Sequence, residues 1–148
     1  LDLGVSTTAI RSGNAHNQPF GTDGDVASSV ALMTWEDDIH GQLVAAEVFC
    51  IEPVAMAGTN TTAISIDIAT AGAALDAGLA SVTEVLGAVA CDKIGANGAT
   101  AAAGYAAMAA DGKGVYLCKD DGDNSNDVTA GIILIRLHGV LSDNSSLG

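Results

Sequence analysis

Polar and apolar positions alternate most cleanly over residues 61–70 (TTAISIDIAT), where Ile64, Ile66 and Ile68 fall on one side and Ser65, Asp67 and Ala69 on the other. A period of two carried by β-branched residues predicts a strand with one buried face and one wet face. The longest apolar run is 128–141 (VTAGIILIRLHGVL). There Ile132, Ile133, Leu134 and Ile135 are adjacent, so both faces of a strand would begin apolar. From Arg136 onward the pattern alternates, with Ile133, Ile135 and Leu137 opposite Arg136 and His138. A strand apolar on both faces is central in a sandwich or covered by a neighbouring subunit. Ile132 and Leu134 are therefore candidates for a subunit interface, with a fully covered central strand as the equal alternative.

The same reading extends to the flanking segments. Residues 43–52 (LVAAEVFCIE) predict a strand closed by Pro53, pairing antiparallel with 61–70 across the turn residues 57–60 (AGTN). Residues 113–119 (KGVYLCK) predict a strand, joined by the polar stretch 120–127 (DDGDNSND) to the last strand as a long-looped hairpin. Residues 26–33 form a weaker strand. In 71–90, Leu75, Leu79, Val82, Leu86 and Val89 recur at three- and four-residue steps, which predicts one short helix there. Residues 91–98 (CDKIGANG) are expected as a turn, and the Ala-rich 99–110 is open between helix and close-packed sheet.

Six or so strands, at most one short helix and no βαβ rhythm define the expected class. It is an all-β, antiparallel β-sandwich of jelly-roll-like form over residues 26–148. Residues 1–25 hold no period for long and predict an extended N-terminal arm, with a mobile terminus as the near-equal alternative. Leu3, Val5, Ile10 and Phe20 are its anchors, and with Trp35, the only tryptophan, they are the candidate contacts to a partner.

Composition adds a reason to expect partners. The 148 residues are 49% hydrophobic but only 3% aromatic, and much of the apolar share is Ala. Alanine removes little surface from water, at roughly 25 cal/mol per Å2, so oligomerisation would supply burial that one chain lacks. The net charge is −13, from 18 acids against Arg11, Lys93, Lys113, Lys119 and Arg136. That balance repels phosphate backbones and anionic bilayers, so neither nucleic acid nor membrane is an expected partner. No run of 18 apolar residues occurs to predict a membrane helix.

Signals of chemistry are weak. Cys50, Cys91 and Cys118 are an odd, widely spaced set with no CxxC, which predicts buried free thiols rather than a zinc site. His16, His40 and His138 accompany no nucleophile motif. Asp120, Asp121, Asp123 and Asp127 suggest a calcium loop, yet counting from Asp121 places Asn126 where the EF-hand needs Gly and Ile132 where it needs Glu. Asp37 and Asp38 are adjacent and would point to opposite sides of a strand. No catalytic residue, metal ligand or cofactor is expected.

The C-terminal half runs AISIDIATAG, ALDAGLASVTEVLGA, an Ala/Gly stretch, and DGKGVYLCKDDGDNSNDVTAGIILIRLHGV. Over about residues 43–141 this resembles small β-sandwich virion proteins of tailed bacteriophages, the capsid cement or decoration proteins. Thr129, Ala130 and Gly131 match the entry to the last strand, and Tyr116 and Leu117 the strand before it. The resemblance implies a non-enzymatic subunit made in the host cytoplasm and carried on the capsid exterior. Its implied partners are copies of itself, commonly as a trimer, and the major capsid protein of the same virion. The other reading is a receptor- or glycan-binding domain of a phage tail or surface fibre, which predicts an exposed aromatic cluster around Trp35 or Tyr105.

Overall fold

The computed structural model describes residues 10–12, 18–19, 21–22, 31–56, 63–70, 79, 81–100, 107–119 and 126–141. Ten strands and one helical turn lie within them: β1 (Ile10–Ser12), β2 (Gln18–Pro19), β3 (Gly21–Thr22), β4 (Met33–Trp35), α1 (Asp37–His40), β5 (Gln42–Met56), β6 (Ala63–Ala69), β7 (Thr83–Ala90), β8 (Asn97–Ala99), β9 (Lys113–Lys119) and β10 (Asn126–Val140). They form two antiparallel sheets. Sheet A has the order β3-β1-β10-β5-β8, and sheet B the order β2-β9-β6-β7 with β4 also paired to β9. The all-β, sandwich-like class expected from the hydrophobic pattern is the one found.

The main core lies between the sheets. Leu43, Val48 and Cys50 of β5, Ile64, Ile66 and Ile68 of β6, Val85, Leu86 and Val89 of β7, Val115 and Leu117 of β9, and Ile133 of β10 are all buried in one cluster. Alternation explains the choice: most of these residues recur at even spacing within each strand, so the pleat sends them to a common side. Small residues at Ala46, Cys50 and Cys91 let the two layers approach where aromatic bulk is lacking.

Four expectations are corrected. The 71–90 segment is not helical where it is described: 83–90 is strand β7. The helix-like step from Leu86 to Val89 arises because β7 is irregular, with Ile64 opposite Val89 and Ile66 opposite Leu86. Three residues of β7 thus span two of β6, and Ala88 takes a positive φ of 34° to absorb the excess. The lone short helix falls instead at Asp37–His40. Second, Pro53 does not end β5. It sits in the irregular stretch where the β10 register slips, between Glu52 opposite Ile132 and Ala55 opposite Ala130, a place that spares the ladder a missing N–H.

The expected partners also change. β5 pairs with β10 and β8, not with β6, and β9 pairs with β6, β2 and β4, not with β10. Each expected hairpin is therefore a crossing from one sheet to the other, as a sandwich requires when neighbouring strands in sequence divide between layers. Finally, the wet face of β6 is dry. Ser65 and Asp67 are fully buried, with the Ser65 hydroxyl donating to Asp67 Oδ2 at 2.8 Å. Cys118 and Tyr116 stand opposite them on β9, and Leu79, Val82 and Ala31 join Tyr116, Cys118 and Ala69 in a second apolar cluster. The central strands of sheet B, β6 and β9, are thus covered on both faces by their own chain, while β7 leaves Thr83, Glu84, Ala88 and Ala90 exposed.

The segment expected to form the arm contributes β1, β2 and β3. Ile10 lies in β1, which pairs with β10 through Ile10 opposite Val128, and β2 pairs with the end of β9. Leu3, Val5 and Phe20 lie outside the described residues, as do Asp120, Asp121 and Asp123 of the acidic loop.

Candidate functional site

The two sheets differ in how their outer faces end. On sheet A, β10 turns Ile133 inward at 1% exposure and packs Ile135 and Leu137 against the core, while Leu134 is 41% exposed. Its even-numbered side chains, Ile132, Leu134, Arg136 and His138, therefore share the outward face. Across the ladder Leu134 stands opposite Phe49, Arg136 opposite Glu47, and Ile132 opposite Glu52. β5 adds Ile51, 48% exposed, next along from Phe49. The 91–96 turn grips the same place through Gly95 N to Cys50 O at 2.9 Å and Cys50 N to Ala96 O at 2.7 Å, and carries the exposed Ile94.

The result is an apolar centre of Phe49, Ile51, Ile132 and Leu134 with a charged border at one end. Glu47 Oε2 lies 3.8 Å from the Arg136 guanidinium and 3.4 Å from His138 Nε2. The guanidinium also sits over the Phe49 ring, 5.3 Å from its centroid. This is a cation–π contact on a half-exposed face, so the pair of strands is laced by side chains that remain open to a partner. Ile132 and Leu134 were legible as a second apolar face. Phe49 and Ile51 were missed, although they alternate with the buried Val48 and Cys50 in the same way.

Trp35 is elsewhere. Expected at a partner contact, it is 3% exposed inside the molecule's own core. Its indole Nε1 donates to Gly41 O at 2.8 Å, and its ring lies 4.9 Å from the His40 ring. The reason is its position: β4 pairs with β9 in sheet B, and the side chain reaches across to Gly139 at the end of β10 in sheet A. An aromatic platform around Trp35 is therefore not available on the surface, and Tyr105 lies outside the described residues.

Of the remaining chemistry-bearing groups, His40 accepts from Glu36 N through Nδ1 at 3.2 Å, and His138 faces Glu47. Among the described residues, no group of three His, Cys, Asp or Glu could hold a metal ion. All three cysteines are buried and none is in a disulfide. Cys50 Sγ lies 3.2 Å from Glu52 O and 3.7 Å from Cys91 O. Burial pushes the Cys91 thiol up to about 12, with Cys50 beside it adding to the effect, and burial raises Cys50 as well. Tyr116 is raised by burial and by the neighbouring Cys118.

These three groups act in one direction. Each binds its proton more tightly folded than unfolded, so from about pH 9, where unfolded thiols begin to ionise, the unfolded state holds fewer protons than the native one. Stability is then complete below about pH 9 and falls as pH climbs toward 12. A thiol that ionises only on unfolding sets a slope of up to about 1.4 kcal/mol per pH unit. Urea midpoints measured from pH 7 to 11 should be flat at first and decline beyond 9. Iodoacetamide at pH 8 should leave Cys50 and Cys91 unmodified until the chain unfolds; rapid native alkylation would contradict the packing around them.

Comparison of the chain with protein-family models, with curated proteins and with solved structures finds no match.

Proposed function

We propose that this protein is a non-enzymatic structural subunit, a capsid cement or decoration protein that binds copies of itself and the major capsid protein of a tailed phage. One observation carries the reading: the central strands of sheet B, β6 and β9, are buried on both faces by their own chain, whereas the central strands of sheet A, β5 and β10, leave Ile51 and Leu134 about half exposed beside Phe49 and Ile132. An apolar face rimmed by charge on a chain of −13 supports the reading as a protein contact.

Mechanistically, cementing needs no bond chemistry. A subunit that binds the assembled shell and not the free capsid protein stabilises the shell by mass action. Repetition around a symmetric lattice then multiplies a modest contact into strong retention. Expanded shells prepared without this protein, mixed with the purified chain and sedimented, should carry it down and gain in melting temperature. Unassembled capsid protein should not retain it. If the chain stays in the supernatant and the shells melt unchanged, the proposal fails.

A further inference from the structure

The open face of sheet A carries a pattern that selects its own partner. At successive levels along the β10–β5 ladder the outward pairs are Ile132 with Glu52, Leu134 with Phe49, and Arg136 with Glu47. In the last pair the two strands bear opposite charges, and in the middle pair both are large and apolar. We infer that this face is a two-fold contact between two copies of the chain, in which Arg136 of each copy meets Glu47 of the other. The inference rests on the reading of this face as a subunit contact and specifies its symmetry.

The geometry follows from simple rotation. Two sheets packed face to face lie about 10 Å apart, with strands nearly aligned. A two-fold axis running along the strands, midway between β5 and β10, lays β10 of one copy over β5 of the other at the same level. Arg136 then faces the second copy's Glu47, and Leu134 faces its Phe49. An in-plane axis across the strands would instead reverse the levels and set Arg136 over the apolar Ile132. That placement buries Arg136 against an apolar side chain with only its own Glu47, 3.8 Å away, to compensate, whereas the first axis adds the second copy's Glu47. The charge pattern therefore favours the first axis, and such a contact is isologous and closed.

Net charge narrows the location further. Two bodies of −13 repel one another, and the repulsion is weakest where cations stand. Arg136, one of the five Lys and Arg of the chain, stands on this face, alongside Glu47. The apolar centre is small, so the dimer belongs at the weak end of specific interfaces, with a micromolar dissociation constant.

Charge reversal tests the arrangement. Analytical ultracentrifugation of the full chain at up to about 100 μM should show a monomer–dimer equilibrium at such an affinity. Glu47→Arg and Arg136→Glu should each lose the dimer, by about tenfold or more in affinity, because each variant then sets like charges across the axis. Mixed together they should associate, since at the level of residues 136 and 47 one face is then cationic and the other anionic. The double variant, with both reversals, should dimerise as the wild type does. Thermal melts of each variant verify folding. A mixture that stays monomeric although both variants fold, a wild type that is monomeric throughout, or single variants that dimerise unchanged would each overturn the inference. Shell co-sedimentation of the wild type separates the two claims: a wild type that binds shells yet stays monomeric refutes only the two-fold contact, and dimers that ignore shells refute only the cement reading.

Discussion

Replacing Trp35 by alanine should remove about 3–5 kcal/mol of folding stability, the range for deleting a large buried aromatic. The side chain is 3% exposed and joins elements of both layers: its strand, β4, is paired to β9 in sheet B, while its ring packs at Gly139 of β10 in sheet A. Alanine would open a cavity between them and strip the Gly41 carbonyl of the indole N–H that meets it at 2.8 Å. A core this poor in aromatics has few other side chains able to collapse into the space. Since domains of this size hold about 5–15 kcal/mol in all, the loss would put the variant near its unfolding threshold. Trp35→Phe keeps most of the packing and gives up the hydrogen bond, so about 1–2 kcal/mol is expected there. Urea unfolding followed by far-ultraviolet circular dichroism measures both. Equal costs for Ala and Phe would mean that the hydrogen bond, not the packing, secures this corner.

The contrast between β6 and β7 marks how far the hydrophobic pattern could be read. In β6 the pattern named the strand and its inward side correctly, because Ile64, Ile66 and Ile68 obey the pleat. It misjudged the other side, since Ser65 and Asp67 look solvated in any one-dimensional reading. Only the fold buries them, sets Cys118 and Tyr116 opposite them on β9 and lets the Ser65 hydroxyl meet the Asp67 carboxylate. In β7 an irregular register and the positive φ of Ala88 place Leu86 and Val89 three residues apart on one face. That spacing is indistinguishable from a helical step until the partner strand is known.

The candidate face shows the same boundary. Ile132 and Leu134 stood out because four large apolar residues in a row cannot all point inward from a strand. Phe49 and Ile51 did not, because in LVAAEVFCIE they read as ordinary strand residues until β10 is seen beside them. The pairing of these two strands is set by contacts between residues far apart in the chain, and local periodicity carries no record of them. Trp35 illustrates the converse: a lone tryptophan fits core or contact equally by composition, and only its place between the layers decides for the core.

The corner that Trp35 closes gives the second large effect, through a residue with no side chain. Gly41 links α1 to β5 at φ 76° and ψ 179°, a region open in practice to glycine alone. A β-carbon there would also overlap the backbone of Val140 and Leu141 at the end of β10. Backbone strain of about 1–3 kcal/mol and overpacking of about 1–3 kcal/mol together predict a loss of about 2–6 kcal/mol for Gly41→Ala. Gly95→Ala separates the two causes, because Gly95 has φ 81° but nothing within 4 Å of the added carbon. It should cost only about 1–2 kcal/mol, the strain of a left-handed residue. Because the Gly41 carbonyl is the acceptor for Trp35, Gly41→Ala and Trp35→Ala should cost less together than their sum. Strict additivity in that double-mutant cycle would mean that the indole and the turn hold the sheets together independently, and that Gly41 acts through its own backbone alone.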